Sequence, residues 1–199
     1  MDFLINTFYK NKTDEELIAL IVQGKEKAFD EIYNRYAKKL FYFFYQRLFQ
    51  DNNKAEDFLQ DLFLKLIEKA ESFDKTKSFS TWFYTIAYNM CKNEYRQNVN
   101  KIYTNESCMK NLEFSMVTYS TAPDNYDASV FNDFLIKELT KLNEEQRITF
   151  ILRHQEDLTI KSIGEIMNCS EGTVKSRLFY AIEKLSKNLN LFDPIKTKK

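Results

Sequence analysis

Apolar residues recur at helical spacing along most of this chain, and this repetition limits the folds open to it. Leu17, Ile18, Ile21 and Val22 form one such run, and similar runs follow in nearly every later segment. Only three glycines and two prolines occur in 199 residues, so tight turns are few. The pattern predicts an all-α protein, and the length suits one ordinary domain or two small ones.

The first half of the chain is expected to form four amphipathic helices. They are predicted to run from Asp14 to Gly24, from about Lys27 to Leu48, from Ala55 to about Glu71, and from Phe79 onwards. The apolar stripes of the last three should be buried: Phe29, Ile32, Tyr33, Tyr36, Leu40, Phe43 and Phe44; Phe58, Leu59, Leu62, Phe63, Leu66 and Ile67; Phe79, Phe83, Ile86 and Met90.

The third and fourth helices also have distinct polar faces. On the third helix this face contains Asp57, Gln60, Asp61 and Lys65; on the fourth it contains Thr85, Asn89, Lys92 and Arg96, with Tyr88 adjacent. The polar face of the fourth helix combines an amide, two cations and an aromatic ring. This combination suits single-stranded nucleic acid, which is bound through base edges, phosphates and stacking. An ordinary solvated surface remains the alternative for both faces.

Charge is balanced overall but unevenly distributed. The 29 basic and 29 acidic residues cancel, so bulk electrostatics does not favour nucleic acid over the whole molecule. From Glu56 to Glu71 five acids face two lysines, whereas from Asp74 to Lys101 five bases face two acids. One acidic and one basic region suggest two different partners.

The segment from Thr159 to Leu189 has the pattern of a helix-turn-helix. Thr159 and Ser170 stand at the two helix starts, and Asn168 interrupts the apolar period between them. The buried faces should contain Ile163, Ile166 and Met167, then Val174, Leu178, Ala181, Ile182 and Leu185. Such a unit places its second helix in the major groove of DNA, although an amphipathic helix pair without DNA fits the spacing equally well. The absent side chain of Gly172 would let backbone approach a phosphate at that helix start.

Between these blocks the helical period is lost. Residues 98–128 are predicted to be a flexible linker with a short helical turn near Leu112 to Met116. A second helical block begins near residue 129, and a helix opening at Glu144 should support the helix-turn-helix. The predicted organisation is therefore an N-terminal four-helix domain of residues 1–97, a C-terminal domain of residues 129–192, and a basic tail at 193–199.

No cofactor, metal or catalytic set is expected. Cys91, Cys108 and Cys169 are far apart and odd in number, which favours reduced thiols, and with His154 they offer no paired zinc-ligand spacing. There is no phosphate-binding glycine loop and no assignable catalytic triad, so we expect no enzymatic activity. The first twelve residues are too short an apolar run for a signal peptide, and we expect a soluble cytoplasmic protein.

Two motifs together resemble bacterial RNA polymerase sigma factors of the extracytoplasmic-function (ECF) group. One is the string DFLQDLFLKL at 57–66, followed by Phe73, Phe79 and TWFYTIAYN at 81–89; the other is CSEGTVKSRL at 169–178. LuxR-type regulators have a string related to the second motif but nothing similar to the first. The resemblance spans about 14–97 and 139–189 in the family's order. Gly164 stands where alanine is common, and glycine inside a helix costs about 1 kcal/mol relative to alanine.

The resemblance implies three binding surfaces. Asp57, Gln60, Asp61 and Leu64 would bind core RNA polymerase at the largest subunit, and the C-terminal domain would sit on the second largest. Recognition and melting of the minus-ten element would fall to Phe73, Lys75, Lys77, Thr85, Tyr88, Asn89, Lys92 and Arg96. The minus-thirty-five element would be bound by Ser170, Glu171, Gly172, Thr173, Lys175, Ser176, Arg177 and Tyr180. An anti-sigma factor is a further implied partner.

Two other functions stay open at this point. A stand-alone helix-turn-helix regulator would bind duplex DNA tightly without polymerase, using the N-terminal half for sensing or dimerisation. A helical adaptor would contact protein only.

Overall fold

The computed structural model describes residues 8–48, 50–104, 134–135 and 137–189, and the chain is helical wherever it has regular structure in these ranges. The main α-helices are α1 Asp14–Val22, α2 Glu26–Arg47, α3 Asn52–Lys69, α4 Phe79–Thr104, α5 Glu144–His154, α6 Ile160–Met167 and α7 Glu171–Leu189; a 3-10 turn, Ala70–Ser72, follows α3. They fall into two compact units. The first contains α1 to α4, and the second contains α5, the start of α6, and α7. The all-α prediction is confirmed.

Capping residues fix where α1 begins and ends. The Thr13 hydroxyl accepts the amide N–H of Glu16, and the Glu16 carboxylate accepts the amide N–H of Thr13, which satisfies two donors at the helix start. After the helix Gly24 has φ +75°, a left-handed conformation that glycine adopts without steric cost. The predicted end at Gly24 is therefore explained by backbone geometry.

Aromatic and aliphatic side chains fill the core of the first unit. Leu40, Phe43 and Phe44 of α2 are buried with Leu62 and Leu66 of α3. Tyr33 was predicted to be buried but is 44% exposed, and Phe29 is only half-buried. Both lie near the start of α2, where their rings pack on Phe63 at the edge of the core.

The buried stripe of α4 differs from the predicted one. Phe79 and Phe83 are buried as expected, but the stripe continues through Tyr84, Ala87, Tyr88 and Cys91, while Ile86 and Met90 are only half-buried. Apolar residues occupy most positions from 79 to 91, so two different helical stripes satisfy the same sequence. Packing against α2 and α3 selects one of them.

The helix α4 is also longer than predicted. It continues to Thr104 and so includes residues 98–104, which the loss of apolar period had assigned to the linker. The sequence of this stretch has no regular apolar repeat, so the periodicity signal on which the prediction depended does not detect it. The remainder of the predicted linker, the turn at 112–116 and the basic tail at 193–199 lie outside the described residues.

The second unit has its own small core. Leu139, Leu142, Ala181 and Leu185 form a buried cluster, and Leu135 and Phe150 pack against it. Asn143 caps α5 by accepting the amide N–H of Gln146 at 2.8 Å. Helix α5 packs on α7 and so supports the second helix of the helix-turn-helix from behind.

Candidate protein-binding and DNA-binding surfaces

The polar face of α3 is exposed along its length. Leu59, Leu62, Phe63 and Leu66 bury the opposite side of the helix. The structure brings together all four residues predicted to bind polymerase, since each is exposed on the outer face: Asp57, Gln60, Asp61 and Leu64. We call this set the α3 face.

An apolar strip runs along the α3 face beside the acids. Leu64 is 58% exposed, and Ile67, predicted to be buried, is 54% exposed. Ile67 also borders a groove of ≈ 510 Å³ formed with the end of α1 and the start of α2. The groove is lined by Ile21, Gly24, Lys25, Glu26, Phe29, Asp30 and Ile67. The groove was not predicted, because helical spacing assigns Ile67 to the core, whereas the structure leaves its side chain exposed at the groove edge.

The loop between α3 and α4 is anchored by one aromatic residue. Phe73 is 7% exposed and its ring lies 5.1 Å from that of Trp82 and 5.9 Å from that of Phe79. The loop residues from Asp74 to Ser78, including Lys75 and Lys77, are exposed. Phe73 therefore packs inside the unit and fixes the base of an exposed basic loop.

A local hydrogen-bond set orders this loop. The Asp74 carboxylate accepts the amide N–H of Thr76 at 3.0 Å and its hydroxyl at 2.7 Å. These two bonds, the backbone one first, lower the pKa of Asp74 below its usual 3.8. The Lys77 amide donates to the Asp74 carbonyl at 3.0 Å and closes the turn. The loop thus presents its lysines from a defined backbone conformation.

The residues predicted to read the minus-ten element on α4 separate into two groups. Asn89, Lys92 and Arg96 are exposed and share one face by their spacing. Tyr88 is 6% exposed, with the Arg47 guanidinium 4.3 Å from its ring centre. Thr85 is half-buried, and its hydroxyl donates to the Thr81 carbonyl at 2.7 Å.

Two residues near this face, Glu94 and Tyr95, were not predicted from the sequence. Glu94 pairs with Lys54 of α3 at 2.5 Å, so the acid on α4 is partly compensated inside the unit and the outer face keeps its basic character. Tyr95 is 53% exposed, one turn from Lys92. An exposed aromatic beside two cations is the combination expected for stacking on single-stranded DNA, and the position of Tyr95 between Lys92 and Arg96 was the available signal.

The helix-turn-helix forms with both predicted caps. The Thr159 hydroxyl accepts the Ser162 amide N–H, and the Ser170 hydroxyl accepts the Thr173 amide N–H, each at 3.1 Å. Ile163, Ile166 and Met167 of α6 are buried, as are Val174, Leu178, Ala181 and Leu185 of α7. Ile182, expected among them, is 47% exposed and lies at the border of the buried stripe.

Gly164 has a structural reason to be glycine. A Cβ placed there would lie 2.9 Å from the carbonyl oxygen of Cys169, closer than real Cβ contacts allow. The Cys169 amide donates to the Gly164 carbonyl at 2.9 Å, so the turn folds directly onto this position. The sequence suggested only that glycine at position 164 weakens α6. The structure adds that the absence of a Cβ at Gly164 leaves room for the turn that follows the helix.

The exposed side of α7 contains most of the predicted minus-thirty-five residues. Ser170, Glu171, Gly172, Lys175, Ser176 and Tyr180 are exposed, and Thr173 is half-buried. Phe179, which sequence analysis did not select, is the most exposed of the large apolar residues described, at 64%. Arg177 differs from its neighbours because it pairs with Glu145 of α5 at 2.9 Å.

Two other kinds of feature, a metal site and a membrane span, are absent from the described ranges. No group of three or more histidine, cysteine or acidic side chains in these parts of the chain could hold a metal ion. No helix among the described residues is long and apolar enough to cross a membrane.

Comparisons with known proteins match both halves of the chain to one family. The model of Sigma-70 region 2 matches residues 32–100, and that of Sigma-70, region 4 matches residues 135–185. The ECF RNA polymerase sigma-E factor of Haemophilus influenzae is 30% identical over 193 residues, covering 89% of this chain and 95% of that protein. The ECF RNA polymerase sigma factor SigW of Bacillus subtilis is 28% identical over 177 residues, covering 86% and 94%.

Solved structures share the fold. The sigma factor RpoE, in complex with the anti-sigma factor NepR from Bartonella quintana, has a TM-score of 0.65 and 24% identity, covering 82% of this chain and 98% of that one. CnrH, in complex with the cytosolic domain of CnrY, has a TM-score of 0.62 and 20% identity, covering 90% and 99%.

Proposed function

This chain belongs to the ECF group of RNA polymerase sigma factors, and from that membership we propose which of its surfaces meets polymerase and which meets each promoter element. A sigma factor is a transcription initiation factor: it binds core RNA polymerase and directs it to promoter DNA. The region 2 match does not favour a stand-alone helix-turn-helix regulator, because such a regulator needs no polymerase-binding domain. The same match does not favour a helical adaptor.

The α3 face is proposed to bind the coiled coil of the largest polymerase subunit. Asp57 and Asp61 supply negative charge, Gln60 supplies hydrogen bonds, and Leu64 supplies apolar contact beside them. Complementary charge around an apolar contact sets both specificity and association rate at protein interfaces. The buried opposite side holds this surface rigid, so it can dock without reorganising.

The loop 72–78 and the outer face of α4 are proposed to recognise and melt the minus-ten element. Lys92 and Arg96 would contact phosphates, and Asn89 would contact base edges. Lys75 and Lys77 would border the site that receives an extruded base. Extrusion costs a few kcal/mol, which hydrogen bonding and stacking in a fitted pocket return. Phe73 and Tyr88 contribute by packing, since both are buried and hold the loop and helix in place.

The start of α7 is proposed to bind the minus-thirty-five element in the major groove. Its exposed polar residues, Glu171, Lys175 and Ser176, lie close to the helix N-terminus, where base edges and phosphates are reached. Gly172 has open space around it, since a Cβ added there would meet only the Ser170 hydroxyl, at 3.7 Å, so backbone there is accessible to a phosphate. Tyr180 and the exposed Phe179 would extend the contact along the groove.

We also propose the catalytic status, the location and the regulation of the protein. The protein has no catalytic activity of its own, and steady turnover of nucleotides by the pure chain would contradict this. It acts in the bacterial cytoplasm, where polymerase transcribes. An anti-sigma factor restrains it; such a protein should co-purify with the tagged chain from native cells and suppress transcription when added to a reconstituted reaction.

The observation that supports the proposal most strongly is the occurrence of both family regions, each with its polar face exposed, in one chain. The test is transcription by core polymerase plus this protein from a promoter selected with the reconstituted enzyme. Replacing Asp57 and Asp61 by arginine should weaken core binding by about 100-fold, because like-charge juxtaposition in an interface costs several kcal/mol.

A matched control uses two exposed acids with the same spacing on α2. Glu26→Arg with Asp30→Arg changes the charge by the same amount on a neighbouring surface. Core binding should survive this change, and thermal unfolding should be similar for both double variants. Equal loss of binding by the control would overturn the assignment of the α3 face.

A further inference from the structure

Arg177 makes internal contacts that its neighbours on α7 lack. Its Nη2 atom lies 2.9 Å from the Glu145 carboxylate at the start of α5, and its Nη1 atom donates to the Cys169 Sγ atom at 3.5 Å in the turn before α7. The Arg177 side chain is 24% exposed, whereas Lys175 and Ser176 on the same helix are exposed. One guanidinium therefore joins α5, the turn and the middle of α7.

The position of Glu145 strengthens this arrangement. Glu145 lies in the first turn of α5, where the helix dipole favours a negative charge. Its carboxylate is thus stabilised from its own helix and by Arg177. The planar fork of arginine can contact two groups at once in fixed geometry, which the single ammonium of lysine cannot do.

We propose that Arg177 is a positioning residue that braces the recognition helix against α5 and the turn, with Glu145 as its partner, and that it does not contact the promoter. The inference rests on the proposed binding of the minus-thirty-five element by α7. It reassigns one residue that the family resemblance had placed among the DNA contacts. Lys175, Ser176 and Tyr180 then form the contact surface, and Arg177 sets the angle at which they enter the groove.

The Arg177 side chain could either contact DNA or hold α7 against α5, and the two uses differ in their electrostatic cost. To turn towards a phosphate, Arg177 would have to give up its contact with Cys169 or its pairing with Glu145, and loss of that pairing would leave an uncompensated carboxylate at the start of α5. Like charges in an interface cost several kcal/mol. Repulsion between the unpaired Glu145 carboxylate and the DNA would therefore offset the gain from an Arg177–phosphate contact. As a brace, Arg177 keeps both charges paired and adds a third contact at the turn.

The test measures promoter binding by the full chain with core polymerase, over a range of salt concentrations. Each phosphate contact contributes about 1 to the slope of log affinity against log salt concentration. Lys175→Gln should reduce that slope by about 1, whereas Arg177→Gln should leave it unchanged. Arg177→Gln and Glu145→Gln should each lower affinity by about two- to five-fold at every salt concentration, as expected for one partly exposed ion pair.

A charge exchange supplies the second measurement. Glu145→Arg and Arg177→Glu should each lower the unfolding temperature of the C-terminal unit. The double exchange should recover part of the loss, because it restores the ion pair but leaves a positive charge in the first turn of α5. Recovery requires direct interaction between the two side chains in the folded protein.

The results distinguish failure of the Arg177–Glu145 brace from failure of the proposed binding of the minus-thirty-five element by α7. If Arg177→Gln reduces the salt slope as Lys175→Gln does, or if Glu145→Gln increases affinity, Arg177 is a DNA contact and the brace is wrong. Failure of the double exchange to recover stability also overturns the brace. If Lys175→Gln changes neither slope nor affinity, the proposed use of α7 fails instead.

Discussion

Glu15 of α1 accepts the amide N–H of Phe79 at 2.9 Å, so α1 caps the start of the helix proposed to read the minus-ten element. The amide is one of the donors that a helix leaves unpaired at its N-terminus, and the carboxylate also suits the positive end of the helix dipole. The two residues are 64 positions apart. The loop 72–78 ends at this cap, so α1 helps to fix its position.

Replacing Glu15 by alanine should therefore disturb both stability and melting. Loss of a capping acceptor costs about 0.5–2 kcal/mol in the free energy of unfolding. Glu15→Gln keeps an acceptor oxygen and should retain most of that stability. The measurement is thermal unfolding, together with opening of a fluorescent minus-ten duplex by the reconstituted holoenzyme. Unchanged unfolding and opening in Glu15→Ala would show that the cap has no such role.

Phe73 should behave as a core residue. Phe73→Ala should lower the free energy of unfolding by about 3–5 kcal/mol, because a buried aromatic is removed. Phe73→Leu should recover part of this loss. If Phe73 were instead an exposed stacking platform, the alanine variant would unfold within about 0.5 kcal/mol of the parent while losing promoter opening.

Gly164 and Gly172 should respond to alanine in opposite directions. Gly164→Ala should lower the unfolding temperature, because its Cβ would meet the Cys169 carbonyl oxygen at 2.9 Å. Gly172→Ala has open space and should raise stability by up to about 1 kcal/mol through helix propensity.

Promoter binding by the Gly172→Ala variant tests whether the backbone at this position contacts DNA. Gly172→Ala should weaken binding of the minus-thirty-five element if backbone there approaches a phosphate. A stabilised variant with full affinity would argue against that close approach.

The stability of the turn held by Asp74 should decrease at low pH and should not change at neutral pH. Hydrogen bonds from Thr76 lower the pKa of Asp74 in the folded protein, so the ionised carboxylate stabilises the turn. This contribution is fully present above the ordinary pKa of 3.8 and is lost as pH falls through the lower folded value. The Thr76 amide resonance should therefore stay constant from neutral pH to about pH 4 and shift below it. Asp74→Asn should abolish the shift, and a midpoint above 3.8 would contradict the assignment.

Asn89, Lys92 and Arg96 should affect promoter opening without affecting stability. Each side chain is exposed, so alanine at any of them should change the free energy of unfolding by no more than about 0.5 kcal/mol. Lys92→Ala and Arg96→Ala should each lower the salt slope of promoter binding by about 1. Tyr95→Ala should weaken opening with no change in slope, because stacking involves no phosphate.

The sequence by itself determined the helical class, the caps at Thr159 and Ser170, the exposed acidic face of α3, and the exposure of Asn89, Lys92 and Arg96 on α4. These features follow from local chemistry: a hydroxyl caps a helix, and residues three or four apart share one side of it. Two motifs in a fixed order were also enough to indicate the family.

Only the tertiary structure decided which side chains the neighbouring helices cover. Tyr88 is buried and lies against Arg47, Ile67 is exposed at the edge of a groove between helices, and Arg177 pairs with Glu145 of another helix. Helical spacing gives the direction of a side chain but not the extent of the partner surface. Contacts between residues distant in sequence are set by packing, so no periodic pattern within one helix specifies them.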